Sequence, residues 1–192
     1  MTEETPELYF KTDIKWRQWL HVNHNSFKGV YLIFYKVSHA NISMRWEEAV
    51  KVALCYGWID STVKSLGNGK RRQYFTPRNN KSVWSALNKK HIENLLISGL
   101  MHDAGLEKID IAKQNGCWYE LDDVENGIIP KDLQYEFKNN NLAFENFQNF
   151  APSYRKNYLY WLNKAKREAT RKKRITEIIQ FCANNIKSRG NW

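Results

Sequence analysis

The residue types best suited to chemistry sit close together in one part of the chain. Trp58-Ile59-Asp60-Ser61, Thr76-Pro77-Arg78 and Ser82-Val83-Trp84 bring two tryptophans, a carboxylate and a run of cations into fewer than thirty residues. A carboxylate beside Lys64, Arg72 or Arg78 stays ionised and can act as a base, a metal ligand or an orienter of arginine. The same Asp60 equally suits a structural ion pair or a cap at the turn after a helix. Arg78 follows Pro77, which fixes the backbone, and a guanidinium so placed suits bidentate contact with carboxylate or phosphate. A pair between Arg78 and Asp60 fits just as well. Trp58 and Trp84 can wall a site for a flat ligand or simply fill a core. With Arg72, Thr76 and Asn88 they make up the candidate ligand-binding set, in which Asp60 is the candidate catalytic residue.

A second group lies in the tail. Lys164, Arg167, Arg171 and Arg174 fall at i, i+3, i+7 and i+10, one face of a continuous helix, and Lys166 adjoins them. The apolar stripe changes phase between Ala169 and Ile175, which predicts a break near Thr170. If Thr170 caps a new helix, Arg171 and its neighbours occupy the first turn and oppose the helix dipole, an arrangement that calls for a nearby anion or acidic surface. Lys166, Arg167, Arg171 and Arg174 are therefore candidate anion-binding residues. His21 and His24 are three apart, but no Cys or acidic cluster joins them. There is no Walker loop, GxGxxG, GxSxG or HExxH, so neither a metal nor a cofactor is expected.

Charge divides the chain. The formal net charge is +10, yet residues 61–92 hold eight Lys or Arg and no acid, and residues 153–174 hold nine Lys or Arg against Glu168 alone. The remainder is slightly acidic. Two basic blocks imply either solvated faces or a localised field for an anionic partner, such as a nucleic acid, a phosphorylated small molecule or an anionic lipid. Cys55, Cys117 and Cys182 show no pairing logic, and the opening residues carry no secretory pattern. No run approaches a membrane span. A cytoplasmic protein is expected.

The elements that must position these residues are legible from periodicity. Residues 7–10 read as a short strand, residues 13–24 as a helix capped by Thr12 or Asp13, and residues 30–37 as a strand buried on both faces. Parallel pairing of those two strands would make a crossover. Ser43 is expected to cap a helix carrying Trp46, Ala49, Val50, Ala53 and Leu54 on its buried side. Segments 61–66 and 70–76 predict a hairpin closed by Gly67-Asn68-Gly69. Helices are expected over 82–98, capped by Ser82 with Leu87, Ile92, Leu95 and Leu96 inward, and over 102–115, 131–139 and 142–150. Residues 116–130 read as an acidic loop. The fold class is α+β: a small N-terminal sheet of about four strands flanked by helices, then an all-helical C-terminal half. Residues 1–100 are expected to form the sheet domain, with residues 101–192 a helical extension packed on it.

The motifs Gly29-Val30-Tyr31-Leu32-Ile33-Phe34-Tyr35-Lys36, Glu48-Ala49-Val50, Gly57-Trp58-Ile59-Asp60, Thr76-Pro77-Arg78 and Ser82-Val83-Trp84 precede a tail run from Ala165 through Arg174 to Ile175. Together they resemble the YdeI/OmpD-associated family, also called the bacteriocin-protection family, over roughly residues 16–182. This chain departs from the family's pattern at Ser61, where glycine is usual, and at Ala169, where a second acid is usual. The resemblance implies a role in tolerating bacteriocins or cationic antimicrobial peptides and, by name, association with an outer-membrane porin. It implies no catalytic residue.

The expected function is binding of an anionic ligand through a basic groove. The alternatives are nucleic-acid binding, with Trp58, Tyr74 or Trp84 stacking on bases, and a small-molecule enzyme using Asp60 and Arg78. Direct capture of cationic peptides is opposed by the net positive charge, unless the peptides meet the acidic segment at residues 120–125.

Overall fold

A computed structural model describes residues 5–189. Strands β1 (Glu7–Tyr9), β2 (Val30–Tyr35), β3 (Trp58–Gly67) and β4 (Lys70–Pro77) form one sheet in the order β1-β2-β4-β3. β1 runs parallel to β2, with Glu7 opposite Tyr31, and helix α1 (Asp13–Asn23) makes the crossover between them. The other two pairings are antiparallel. The hairpin turns at Gly67, Asn68 and Gly69, all at positive φ, where glycine and asparagine are least strained. Its first strand begins at Trp58, three residues before the expected start. Gly57, at φ +71, turns the chain out of helix α2 (Trp46–Cys55) straight into β3 with no intervening loop.

Opposite residues of an antiparallel pair share a face. One face carries Val30, Leu32, Phe34, Gln73 and Phe75, and here α1 and α2 cover the sheet with Trp16, Leu20, Ala49, Val50, Ala53 and Leu54, all buried. Trp16 spends its indole N–H on the Ala49 carbonyl, 3.2 Å away, so the deepest tryptophan leaves no unsatisfied donor. The other face shows Tyr31, Ile33, Tyr35, Arg72 and Tyr74. Of these Ile33 is buried while Tyr31 and Tyr35 are only half-buried, so β2 is fully enclosed on one side alone.

Two caps differ from expectation. Ser43 does not begin α2; its Oγ accepts from the Tyr35 N–H at 3.0 Å, and Arg45 is the N-cap. Helix α3 (Ala86–Ile97) is capped by Ser85, whose Oγ accepts from the Asn88 N–H, rather than by Ser82. On α3, Leu87 and Leu96 are exposed, leaving His91, Ile92 and Leu95 as the buried side. Helix α4 (Asp103–Gln114) completes this part of the chain.

The chain divides into two compact units, Met1–Tyr119 and Glu120–Trp192. The second is helical: α5 (Asp122–Glu125), α6 (Lys131–Lys138), α7 (Asn141–Asn149), α8 (Pro152–Asn163) and α9 (Glu168–Ala183). Its core gathers Leu133, Phe137, Phe147, Tyr158, Leu159, Leu162 and Ile178. The short α5 lies within the stretch expected to be loop. The break in the tail falls at residues 164–167, not at Thr170, so Arg167 is the N-cap of α9 and Glu168 occupies its first turn. The acid there suits the helix dipole, which removes the reason for an anion at that turn. The architecture is α+β, a four-stranded sheet with helices followed by a helical half. Among the described residues no helix is long and apolar enough to cross a membrane.

Candidate functional site

The residues singled out from the sequence do not share one cleft. Trp58 is buried in the first core, with its indole N–H on the His24 carbonyl at 3.1 Å. Trp84 is also buried, against Trp118 on one side and under the Arg78 guanidinium, 3.6 Å from its ring, on the other. Arg78 is only 3% exposed; Nη1 donates to the Val83 carbonyl, while Nε and Nη2 have no acceptor. Burial pulls its pKa down to about 10, against the opposing pull of Asp60. Arg72 and Thr76 lie on the sheet face away from the helices. Arg72 pairs with Glu7 and sits 4.3 Å over the Tyr31 ring, and the Thr76 hydroxyl donates to the Lys28 carbonyl. Asn88 stands in the first turn of α3. Of the aromatics considered for base stacking, Trp58 and Trp84 are enclosed and Tyr74 is half-buried against Tyr31.

Asp60 occupies the helix-covered face of β3, opposite Phe75. Its Oδ2 accepts from the Gln73 amide and from the Trp46 indole N–H, the latter at 2.9 Å. Gln73 is itself buried, so the carboxylate is a fixed anchor for an otherwise exposed tryptophan. The sequence left Asp60 open between a reacting group and a structural contact. Here it holds a wall in place.

That wall belongs to a cleft of about 940 Å³, built where the end of β2, the segment leading into α2 and the hairpin meet. Phe34, Val37, Met44, Trp46 and Val63 give it an apolar lining, and Lys36, Arg45, Lys70 and Arg71 stand around it. No carboxylate lines it, and none of these four cations has an ion-pair partner among the described residues. Arg71 lies 5.4 Å over the Phe34 ring. Spacing along α2 put Trp46 on the buried stripe, yet it is 37% exposed at the first turn, beyond the edge of the core. The one sequence signal for this site was the unpaired basic block itself.

The tail cations are differently placed. Arg171 makes a two-pronged contact with Asp132, at 2.5 and 2.9 Å, and Lys172 pairs with Glu168. Arg174 donates to the Trp161 carbonyl and stacks 5.0 Å from its ring. The acidic segment is engaged as well, since Glu120 takes Lys164 and Glu125 takes Lys156. Lys166 and Arg167 carry no ion pair among the described residues.

A histidine cluster lies apart from the cleft. His102 stacks on Tyr56 at 4.8 Å, with His24 and His21 at 5.0 and 5.8 Å. Among the described residues no group of His, Cys, Asp and Glu is arranged to hold a metal. Cys55, Cys117 and Cys182 are free thiols. Burial pushes the Cys182 thiol up to about 12, which keeps it protonated and unreactive.

Comparison with known proteins divides along the chain. Residues 126–185 match the family described as Bacteriocin-protection, YdeI or OmpD-Associated. Residues 8–108 match a different family model, and this range takes in the motifs between Gly29 and Trp84. No curated protein and no solved structure matches the chain. With just over half its length covered by that second match, the chain belongs to the family described as Domain of unknown function (DUF8412), while in its helical half the similarity is to the bacteriocin-protection model.

Proposed function

We propose that the protein binds an anionic ligand in the cleft between the hairpin and the start of α2, within the family-level role in bacteriocin protection. One observation carries this reading: four cations without ion-pair partners surround an apolar-walled cleft that no carboxylate lines. Elsewhere several cations are matched locally, as Arg72, Arg171 and Lys164 are. Like charges held together without counter-ions raise the local potential and favour entry of an anion. A concave site with an apolar lining and a few convergent polar groups is the usual form of a small-molecule site. The chemistry supported is recognition, since Asp60 is committed to Gln73 and Trp46 and Arg78 is enclosed. Direct capture of cationic peptides gains no support, because Glu120 and Glu125 already carry lysines.

The test uses anilinonaphthalene sulfonate, an anion with an apolar body, as a fluorescent probe of the folded protein. Wild type is expected to bind it saturably and more weakly as salt rises. The double variant Arg45→Gln/Arg71→Gln is expected to bind at least about tenfold more weakly, the loss of one or two charge-assisted contacts. Equal binding by the variant, with its circular dichroism unchanged, would rule the cleft out.

A further inference from the structure

We infer that the ligand of this cleft is a single-chain anionic amphiphile, a carboxylate or phosphate head on a flexible alkyl chain. The inference rests on the anion-binding reading and adds the nature of the body that the anion carries.

The ring faces at the cleft are largely spoken for. Phe34 lies beneath the Arg71 guanidinium, and Tyr35 stacks on His39 at 4.5 Å with Tyr9 edge-on at 5.6 Å. No pair of bare rings remains to sandwich a base or another flat aromatic, which is how such groups are held. What remains uncovered is mainly aliphatic. Val37 is 75% and Val63 54% exposed, and both line the cleft, with buried Met44 between segments as an adaptable floor. Trp46 adds one further apolar surface, held still by Asp60. Exposed apolar groups gathered in one concavity and rimmed by charge mark a binding site.

The rim completes the match. Lysine and arginine lay their apolar stems along a hydrocarbon surface while the charged heads reach outward. Lys36, Lys70, Arg45 and Arg71 can in this way flank a chain and still meet an anionic head at the mouth of the cleft. A simple anion such as phosphate would satisfy the heads but leave Val37, Val63 and Trp46 in water. A neutral chain would cover the apolar wall and leave the cations unmatched. Only a molecule with both parts answers both features.

The experiment is a displacement titration of the fluorescent probe from the full chain, at concentrations below micelle formation. Octanoate, decanoate, dodecanoate and dodecyl phosphate are the test ligands. Acetate and inorganic phosphate supply heads without chains, and dodecyltrimethylammonium supplies the chain with reversed charge. Affinity is expected to rise about two- to fourfold per added methylene, as partial to full burial of each would give. Val63→Asp, a change at an exposed strand position, is expected to flatten that chain-length dependence while circular dichroism is unchanged. If acetate and phosphate displace the probe as well as dodecanoate does, the anion-binding reading survives and the amphiphile is excluded. If no anion of any length displaces it, both fall. If dodecyltrimethylammonium competes equally, charge recognition is absent and both fall. If phosphatidylglycerol vesicles bind but monomeric dodecanoate does not, the surface serves a membrane and the inference is overturned.

Discussion

A guanidinium enclosed by protein is either matched by acceptors or costly to keep charged, and Arg78 has one carbonyl for its five N–H donors. Its lowered pKa expresses that imbalance: the unfolded chain holds the proton more tightly than the folded one. The penalty is therefore complete well below pH 10 and is relieved as pH rises from about 10 towards the ordinary guanidinium range. The compensation is the stack on Trp84, which a side chain of similar length can partly replace. Arg78→Met is accordingly expected to change stability by only about 1 kcal/mol, since it removes a charge that is poorly matched. Arg78→Ala leaves a cavity beside Trp84 and is expected to cost about 2–5 kcal/mol, the range of large-to-small core changes. Urea unfolding of the two variants separates these outcomes. An equal loss in both would mean that the guanidinium has partners beyond Val83 and that its charge is needed.

At the scale of elements, the joint between α2 and α4 carries its own pH dependence. A side-chain Cβ at Gly105 would lie 2.3 Å from the Cys55 carbonyl oxygen, so the two helices meet backbone to backbone. His102 ties that joint through its own N–H to the Cys55 carbonyl, and it caps α4 through Nδ1, which accepts from the Ala104 N–H at 3.2 Å. Burial first, and then His24, His21 and Arg17 against the opposing Asp103, hold the His102 pKa below its ordinary 6.5. The neutral ring is the capping form, because a protonated Nδ1 cannot accept. The unfolded state therefore takes up the proton first, and stability is expected to fall as pH drops below about 6.5 towards the folded-state value. His102→Asn keeps an acceptor at the N-cap and should flatten the dependence between pH 7.5 and 5.5, measured by urea midpoint. A slope as steep as wild type would place the titration elsewhere. The helices were legible because apolar residues recur at the helical period, and the strands because of the apolar run from Val30 to Val37 and the Gly67-Asn68-Gly69 turn. The caps were less so: Ser43 and Ser82 have the right chemistry, but the first is taken by Tyr35 and the second lies before the helix begins. The cleft was legible only in the basic block that supplies Lys70 and Arg71. Its lining comes from three separated segments, and periodicity cannot tell that the first turn of α2, with Trp46, projects past the core.

At the scale of the whole molecule, the apolar residues sort into two clusters with no shared member. One runs from Leu8 to Trp118 and the other from Val124 to Ala183. The family matches respect the same division, residues 8–108 in one unit and 126–185 in the other. Much of the charge follows it too, since Arg171, Lys164 and Lys156 find their acids inside the second unit, at Asp132, Glu120 and Glu125. A unit with its own core and its own ion pairs contains what it needs to fold alone. Fragments ending at Tyr119 and beginning at Glu120 are therefore each expected to unfold cooperatively. The first should keep the near-ultraviolet circular dichroism of its Trp16, Trp19 and Trp58 cluster, whose rings lie 5.3–6.3 Å apart. The second, at roughly seventy residues, is within the size that can fold without disulfides or metals, though with less surface buried per residue. Its urea slope should scale with the smaller surface it exposes. If the second fragment retains helical signal but melts without a cooperative transition, its core is incomplete without the first unit. Retention of probe binding by the first fragment alone would then assign the proposed anion binding to residues 1–119, independently of residues 126–185.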